Sequence, residues 1–306
     1  MNVLVTGSQG QLGSEIRYLV ENNLASNIEH LTFFFTGSSK LDITKEDKIK
    51  EFIEKNSIKV IINCAAYTAV DKAEEKKELA DLINHKAVEY LAKVSKEYDI
   101  FLIHISTDYV FDGKSYKPYS ENDKPNPQSV YGLTKLKGEE AFINSGAEGI
   151  IIRTSWLYSS FGHNFVKTML KLAQTRKELS VIYDQIGTPT YARDLVEVIL
   201  RIINVRCKML NSNDNLTSNI KHLQFDEVEI YHYSNEGVAS WYDFAKAIFE
   251  IKDIGIKVNP IETKEYPTPA KRPHYSVLNK TKIKRDFGIE IPYWRESLKK
   301  MLNVKC

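Results

Sequence analysis

The stretch Val3-Leu-Val-Thr-Gly7-Ser-Gln-Gly10-Gln-Leu-Gly13 stands at the start of the chain and decides its fold class. A short apolar strand pattern leads into three glycines spaced Gly-x-x-Gly-x-x-Gly, and residues 11–21 follow a helical pattern. Glycines let the backbone approach a pyrophosphate, and a helix N-terminus supplies free N–H groups. The spacing departs from Gly-x-Gly-x-x-Gly, and ordinary turn chemistry is the alternative. The position between a strand and a helix favours a dinucleotide-binding loop.

The rest of the first half alternates strand-like apolar runs with helical patterns, which indicates βαβ units and a parallel sheet. We predict strands at 30–35, 60–62, 100–105 and 149–153, and helices at 45–55, 80–98 and 129–142. The predicted class is α/β, with a Rossmann-like doubly wound parallel sheet in residues 1–155. Segments of about 190–206 and 228–233 are expected to return to it. Residues 156–306 are expected to form mainly a smaller, mostly C-terminal substrate-binding α/β domain, with an exposed loop at 211–219.

Composition excludes several classes of function. The 306 residues include 42 basic and 40 acidic side chains, which nearly cancel, so we expect neither a nucleic-acid nor a membrane-surface partner. Cys64, Cys207 and Cys306 are too far apart for a metal clip or a redox motif, which favours a reducing cytoplasm. Without a basic leader or an apolar run of about 18 residues, we expect neither secretion nor membrane spanning. The expected partners are small molecules, and no metal site is predicted.

Three segments after the glycine loop are expected to meet the cofactor. Ser38, Ser39 and Lys40 stand where an acidic residue would bind both ribose hydroxyls, which favours NADPH, with NADH as the alternative. Asp42 and Ile43 follow where they would meet the adenine, although Asp42 equally suits a local cap. The third strand ends in small residues. The predicted cofactor-binding set is Gly7, Gly10, Gln11, Leu12, Gly13, Ser38, Ser39, Lys40, Asp42, Ile43, Cys64, Ala65, Ala66, Tyr67, Tyr131 and Lys135.

The segment Tyr131-Gly-Leu-Thr-Lys135 places a phenol and an ammonium four residues apart, hence on one face of a helix. Tyrosine titrates near pH ~10, and a nearby positive charge favours phenolate, so the pair suits a proton donor. The same spacing recurs at Tyr242 and Lys246. There it lies within an apolar helical stripe, and we interpret it as packing.

With these residues, the first half resembles the extended short-chain dehydrogenase/reductase superfamily, which combines the glycine loop with a catalytic Thr or Ser, Tyr and Lys. More specific motifs resemble the dTDP-4-dehydrorhamnose reductase family nearly end to end. They are Gly10-Gln-Leu-Gly13, Ala69-Val-Asp-Lys-Ala-Glu74, Ser106-Thr-Asp-Tyr-Val-Phe111, Tyr131-Gly-Leu-Thr-Lys135, Arg153-Thr-Ser-Trp156, Asn164-Phe165, Asp184-Gln185 with Gly187-Thr-Pro-Thr190, and Pro267-Thr-Pro-Ala-Lys-Arg-Pro-His274.

The resemblance implies NADPH-dependent reduction of the 4-keto group of dTDP-4-dehydro-L-rhamnose to dTDP-L-rhamnose, a nucleotide sugar for polysaccharide biosynthesis. It also allows for a homodimer. Tyr131 is expected to give the proton, Thr107 to hold the carbonyl oxygen, and Lys135 to lower the tyrosine pKa and bind the nicotinamide ribose. The expected substrate-binding residues are Thr107, Asp108, Tyr131, Trp156, Asn164, Phe165, Gln185 and Arg272.

Several alternatives remain at this stage. Core packing would also explain Trp156, and Arg272 suits a diphosphate contact or a surface charge equally well. His104, inside a strand, is expected to be a core residue. Another nucleotide-linked deoxysugar would require the same catalytic residues. An alternative from a different functional class is a non-catalytic, reductase-like regulatory subunit. The presence of all three catalytic residues, Thr107, Tyr131 and Lys135, argues against it.

Overall fold

The structure, a computed structural model, describes residues 1–211, 225 and 227–303. Of the loop predicted at 211–219, only Asn211 falls within this range, and it is the last residue of a helix. The remainder of that prediction, and Cys306, lie outside the described residues. Within them, no helix combines the length and the apolar character needed to cross a membrane.

A six-stranded parallel sheet forms the centre of the molecule. Its strands are β1 (Asn2–Thr6), β2 (Thr32–Phe35), β3 (Ile58–Asn63), β4 (Phe101–Thr107), β5 (Gly149–Thr154) and, later in the chain, β10 (Val228–Tyr233). They lie in the order β10-β5-β4-β3-β1-β2, so the strand order reverses between β1 and β3. In such sheets ligands bind beyond the carboxyl ends of the strands at this reversal. The predicted α/β class with a doubly wound parallel sheet is confirmed.

Helices cover both faces of the sheet and connect most of its strands. They are α1 (Gln11–Glu21), α2 (Glu46–Asn56), α3 (Val70–Glu75), α4 (Lys77–Asp81), α5 (Ala87–Glu97), α6 (Val130–Ile143), α7 (Phe165–Ala173), α8 (Ala192–Asn211), α9 (Trp241–Ile251), α10 (Thr281–Phe287) and α11 (Trp294–Asn303). Because successive strand residues point to opposite faces, Val3 and Val5 pack with α1 and α8, whereas Leu4 packs with α2 and α5. These two apolar layers hold the carboxyl edge of the sheet in place.

The helix predicted at 80–98 is interrupted. It consists of α4, a π-helical turn at Leu82–Lys86, and α5. The apolar periodicity of this segment is continuous, so sequence alone could not reveal the turn. The neighbouring helix α6 packs very closely here, because a Cβ atom on Gly138 would lie 2.2 Å from the Asn84 carbonyl oxygen. The short helix α3 was not predicted either, since six residues carry too little periodicity.

A second, smaller apolar cluster lies beyond the sheet and is built mainly from α7, α9 and α11. It includes three pairs of short strands: β6 (Leu157–Tyr158) with β9 (Thr190–Tyr191), β7 (Glu178–Ile182) with β12 (Lys257–Ile261), and β8 (Ile186–Gly187) with β11 (Ala239–Ser240). Tyr242 packs against this cluster, as interpreted from its apolar stripe. The segment 228–233 lies in the large sheet as β10, where it pairs with β5. The domain boundary near residue 155 remains a prediction.

Candidate active site

The glycine loop lies directly against the end of β3. Gly7 has a φ of +61°, and a Cβ atom there would lie 2.6 Å from the Ala65 nitrogen. A Cβ atom on Gly13 would lie 2.5 Å from the Ser8 Cα atom. Both distances are too short for any side chain. Gly7 therefore lets the loop approach the segment that follows β3, and Gly13 lets the first turn of α1 lie close to Ser8. The Gly-x-x-Gly-x-x-Gly spacing therefore reflects positions where the loop backbone lies very close to other backbone atoms.

A cavity of about 330 Å³ opens beside this loop, at the reversal of strand order. It brings together eight residues of the predicted cofactor-binding set: Gly7, Gly10, Ser38, Asp42, Ile43, Cys64, Ala65 and Ala66. Sequence reasoning missed other residues of its wall, including Gln9 and Ile83. A cavity between a glycine loop and strand ends fits the pyrophosphate and adenosine parts of a dinucleotide.

The remaining predicted cofactor residues do not line this cavity. Ser39 and Lys40 line an adjacent groove of about 800 Å³ that also includes Ser38, and Lys40 Nζ donates to the Phe35 carbonyl. The Gln11 side chain instead donates to the Leu157 carbonyl and accepts from Asn164 Nδ2. Leu12 packs in the core. The roles assigned to these residues, and to Gly13 and Tyr67, therefore remain predictions.

Asp42 has the local role that was considered as its alternative. Its Oδ1 atom accepts hydrogen bonds from the Thr44 nitrogen at 3.0 Å and the Thr44 hydroxyl at 2.7 Å. These bonds hold the pKa of the Asp42 carboxyl below its usual value. Asp42 nevertheless lines the cavity, so a contact with an adenine amino group remains a prediction.

The predicted proton donor and its partner meet at the end of β4. Thr107 is the last residue of β4 and Tyr131 lies in the first turn of α6, so close that the Thr107 side chain opposes the rise of the Tyr131 pKa. The absence of a side chain on Gly132 permits this approach, because a Cβ atom there would lie 2.2 Å from the Tyr109 carbonyl oxygen. The Tyr109 ring packs edge-on against Tyr131 at 5.4 Å. The hydroxyls of Thr107 and Tyr131 are therefore neighbours at the end of β4.

The ammonium group of Lys135 has its hydrogen-bond partners on β4. Its Nζ atom donates to the Ile105 carbonyl at 2.6 Å and lies 3.1 Å from His104 Nε2. Burial lowers the pKa of Lys135 to about 8, and it raises the pKa of Tyr131 to about 12. A lowering of the Tyr131 pKa by Lys135 therefore remains a prediction. His104 is a fully buried core residue, as expected, and burial keeps its pKa well below the usual value.

Asp108 lies next to this pair and is almost completely buried. Its Oδ1 atom accepts a hydrogen bond from Thr107 Oγ1 at 3.0 Å. Burial raises the pKa of the Asp108 carboxyl to about 6, although hydrogen bonds from Ser276 and Thr107 oppose the shift. A carboxyl group with this pKa changes its charge in the physiological range, which is typical of functional sites.

Trp156 belongs to a cluster of partly buried aromatic rings. It stacks on Trp241 with ring centroids 3.6 Å apart, and Phe165 packs against Trp241 at 4.7 Å. Trp156 has a φ of +47°, which is unusual for a residue with a large side chain. Its ring fits only because residue 187 is a glycine, since a Cβ atom there would lie 2.6 Å from the ring. Strained residues of this kind cluster at functional sites. Sequence reasoning assigned Trp241 to packing only and missed this stack.

The other predicted substrate-binding residues already have partners within the protein. Asn164 caps α7 through Lys167 N and donates to Gln11 Oε1 at 2.9 Å. Gln185 is buried and donates to Thr263 Oγ1 at 3.2 Å. Arg272 makes a bidentate ion pair with Asp71, at 3.0 and 2.7 Å, so it is not a free surface charge. A diphosphate contact by Arg272 remains a prediction.

Asn84 is a polar residue that the sequence did not single out. From the π-helical turn, its Oδ1 atom accepts from the Tyr67 nitrogen at 2.8 Å, and its Nδ2 atom donates to the Tyr67 carbonyl and to Thr134 Oγ1. The segment after β3 is thereby joined to the helix that carries Tyr131. Within the described residues, no group of three or more His, Cys, Asp or Glu side chains is arranged to hold a metal ion.

The fold and the site together define the class of short-chain dehydrogenase/reductase enzymes: a doubly wound sheet, a glycine-lined cavity at its strand reversal, and neighbouring Thr107 and Tyr131 side chains beside a buried lysine. A family model described as RmlD substrate binding domain matches residues 1–305. The chain belongs to this family, and several of its relatives are named dTDP-4-dehydrorhamnose reductase.

Individual relatives agree over nearly the whole chain. The dTDP-4-dehydrorhamnose reductase of Aggregatibacter actinomycetemcomitans is 40% identical, with 97% of each chain covered. A solved structure of such a reductase from Clostridium acetobutylicum has a TM-score of 0.88 at 39% identity, with 99% of each chain covered. One from Bacillus anthracis, in complex with NADP, has a TM-score of 0.86 at 34% identity, with 98% of each chain covered.

Proposed function

We propose that the protein reduces the 4-keto group of dTDP-4-dehydro-L-rhamnose with NADPH and forms dTDP-L-rhamnose. The observation that carries the proposal is the position of Tyr131 beside Thr107 at the carboxyl edge of the sheet, with Lys135 buried one helical turn further along α6. Reduction of a ketone builds negative charge on the carbonyl oxygen, and two neighbouring hydroxyls suit that oxygen. The names of the relatives supply the substrate.

The cavity beside the glycine loop suits a dinucleotide, because it lies at the reversal of strand order and the backbone of Gly7 and Gly10 forms part of its wall. Ser38 lines this cavity, and Ser39 and Lys40 lie just beyond it, where they suit a 2′-phosphate. When bound, the reduced nicotinamide supplies a hydride. NADP in the Bacillus anthracis relative supports the choice of NADPH.

The protein's own groups handle the proton and the orientation of the ketone. Tyr131 retains its proton at neutral pH, because burial raises its pKa to about 12, and it releases this proton only to a more basic oxygen. In the structure, Thr107 donates its single hydroxyl proton to Asp108 Oδ1. To hold the carbonyl oxygen, which only accepts, Thr107 is proposed to turn this proton from Asp108 to the substrate. Lys135 is proposed to bind the nicotinamide ribose.

The partly buried ring cluster of Trp156, Trp241 and Phe165 is proposed to line the sugar-nucleotide site. Asn164, Gln185 and Arg272 are proposed to complete that site. We further propose a cytoplasmic location, supported by the free thiols of Cys64 and Cys207. The product would serve polysaccharide biosynthesis, as the name of a relative from Bacillus subtilis, spore coat polysaccharide biosynthesis protein SpsK, suggests for that protein. A homodimer is proposed from the family alone.

One assay tests the reaction and its competitors. NADPH absorbance is followed with the ketosugar made in situ from dTDP-glucose by the preceding enzymes, and a UDP-linked ketosugar serves as the matched substrate. Oxidation of NADPH with the dTDP-linked sugar, and formation of dTDP-L-rhamnose, are expected. Faster turnover of the UDP-linked sugar would instead indicate another deoxysugar ketoreductase. Cofactor binding without turnover of any ketosugar would favour a regulatory subunit.

A further inference from the structure

The short helix α3 carries two carboxylates that hold separate parts of the site. It follows the segment after β3, in which residues 64–66 line the cofactor cavity. Ala73 anchors α3 and is fully buried, whereas Asp71 and Glu74 are half-buried and Glu75 is exposed. Both half-buried carboxylates belong to a motif on which the family resemblance depends, and the proposed reaction uses neither of them.

Glu74 holds the first turn of α6. Val130 is the first residue of this helix, and its backbone N–H donates to Glu74 Oε1 at 2.8 Å. The first N–H groups of a helix have no partner inside the helix. Ser129 provides the usual local cap, because its hydroxyl accepts from the Gly132 nitrogen at 3.2 Å. Glu74 adds a second cap from 56 residues earlier in the chain, and its negative charge suits the positive end of the helix.

This contact bears on the proposed proton donor, because Val130 immediately precedes Tyr131. The same turn lies against the Tyr109 carbonyl oxygen, which would be only 2.2 Å from a Cβ atom on Gly132. The backbone of the turn is therefore held between Tyr109 on one side and α3 on the other. Its position sets where the phenol lies relative to a bound ketone. A shift of about 1 Å in a group of this kind can cost roughly 10²-fold in rate.

Asp71, three residues before Glu74, holds Arg272 by one edge of its guanidinium group. Nη2 of Arg272 donates to Asp71 Oδ2 at 2.7 Å, and Nη1 donates to Asp71 Oδ1 at 3.0 Å and to the Ala270 carbonyl at 3.4 Å. A guanidinium has five N–H bonds, so the Nε–H and the second Nη2–H remain. Among the described residues, these two N–H bonds have no hydrogen-bond partner. They form a second edge, which suits a bidentate contact with phosphate oxygens.

We propose that Glu74 and Asp71 are positioning residues for the two halves of the site. Glu74 fixes the start of the helix that carries Tyr131, and Asp71 presents the second edge of Arg272 to the diphosphate of the sugar nucleotide. This inference rests on the proposed function, in which Tyr131 gives the proton and Arg272 contacts the diphosphate. Loss of Glu74 should therefore affect the rate of the chemical step, whereas loss of Asp71 should affect substrate binding.

Single-turnover kinetics at saturating NADPH and ketosugar test Glu74. In Glu74→Ala, kcat should fall by roughly 10- to 100-fold, while the KM of the ketosugar changes by less than about threefold. Glu74→Gln keeps an oxygen that accepts from the Val130 nitrogen, so it should recover most of the lost rate. Glu75→Ala, an exposed position on the same helix, is the control and should keep near-normal turnover. An unchanged kcat in Glu74→Ala, or an equal loss in the Ala and Gln variants, would overturn the role of Glu74.

Calorimetric titration with dTDP tests Asp71. Asp71→Ala should weaken dTDP binding by about tenfold or more, because Arg272 loses its fixed orientation, whereas Glu74→Ala should bind dTDP normally. Unchanged or tighter binding in Asp71→Ala would contradict the role of Asp71. Both variants should bind NADPH as the unmodified protein does in a fluorescence titration. Equal losses of NADPH and dTDP affinity in the two variants would mean that both carboxylates merely hold α3 together, which would refute the proposal.

Amide hydrogen exchange, measured by NMR without ligands, tests the contact to α6 independently of any reaction. The Val130 N–H should exchange slowly in the unmodified protein and in Glu75→Ala, and much faster in Glu74→Ala. Exchange at Val130 that does not depend on Glu74 would overturn the inference. If the unmodified protein reduces no ketosugar but Val130 shows the expected dependence, the proposed function fails and the role of Glu74 in holding α6 stands.

Discussion

Replacement of Tyr131 by Phe tests the proposed proton donor most directly. The variant keeps the ring that packs edge-on against Tyr109 and removes one hydroxyl. Loss of a general acid typically costs two to four orders of magnitude in rate, which corresponds to about 2.7–5.4 kcal/mol in the activation barrier. We therefore expect turnover to fall by roughly 10²- to 10⁴-fold.

Stability should change little, because the substitution leaves no buried donor without a partner. Thr107 Oγ1 keeps its own partner, because it donates to Asp108 Oδ1 at 3.0 Å. The expected change in the free energy of unfolding is within about 1 kcal/mol. Single-turnover kinetics at saturating NADPH, urea denaturation and fluorescence titration of the cofactor separate rate, stability and binding.

The matched control is Tyr242→Phe, at the second Tyr-x-x-x-Lys spacing of the chain. Tyr242 packs against the second apolar cluster and not beside Thr107. Its variant should keep near-normal turnover and lose at most some stability. An active Tyr131→Phe protein, or equal losses of turnover in the two variants, would refute the assignment of Tyr131.

Three further predictions concern the cofactor and two buried carboxyl groups. NADPH should be preferred over NADH by a modest factor in kcat/KM, and a clear advantage of NADH would contradict this. Lys40→Ala should reduce this preference without a large change in the maximal rate, since a 2′-phosphate lies far from the transferred hydride. The folded-state pKa of Asp108 is raised from 3.8 to about 6, so the free energy of unfolding should fall as pH rises through 6, by up to about 3 kcal/mol. Asp108→Asn should remove this dependence, which urea denaturation between about pH 4 and 7 would show as a flatter profile. Glu139→Gln should lower the free energy of unfolding by about 3–5 kcal/mol, because it leaves the Arg153 guanidinium buried without its carboxylate; a surface control, Glu51→Gln, should change it by less than about 0.5 kcal/mol.

The features that sequence predicted well are local ones. Glycine spacing, strand length and helical period are written in neighbouring residues, so the phosphate loop, the sheet and most helices could be predicted. Eight of the predicted cofactor residues line one cavity because they follow three strands that end at the same edge. The individual roles of the site residues remain predictions.

The features that sequence missed depend on contacts between distant segments. Lys135 turns to His104 and Ile105 rather than to Tyr131, and nothing in the helix itself indicates this. The stack of Trp156 on Trp241 joins residues from β5's end and from α9. The π-helical turn reflects the close approach of Gly138, which lies on another helix. Each of these needs the tertiary fold before it can be stated.

The late arrival of β10 in the large sheet affects how the chain can be divided. β5 lies between β4 and β10, and β10 begins only at Val228, after α7 and α8 and before α9 and α11 of the second apolar cluster. A fragment ending near residue 155 would leave the backbone of β5 as an open edge next to an apolar face, which is a template for intermolecular pairing. Such a fragment should therefore aggregate, and folding during synthesis should finish only after β10 has left the ribosome.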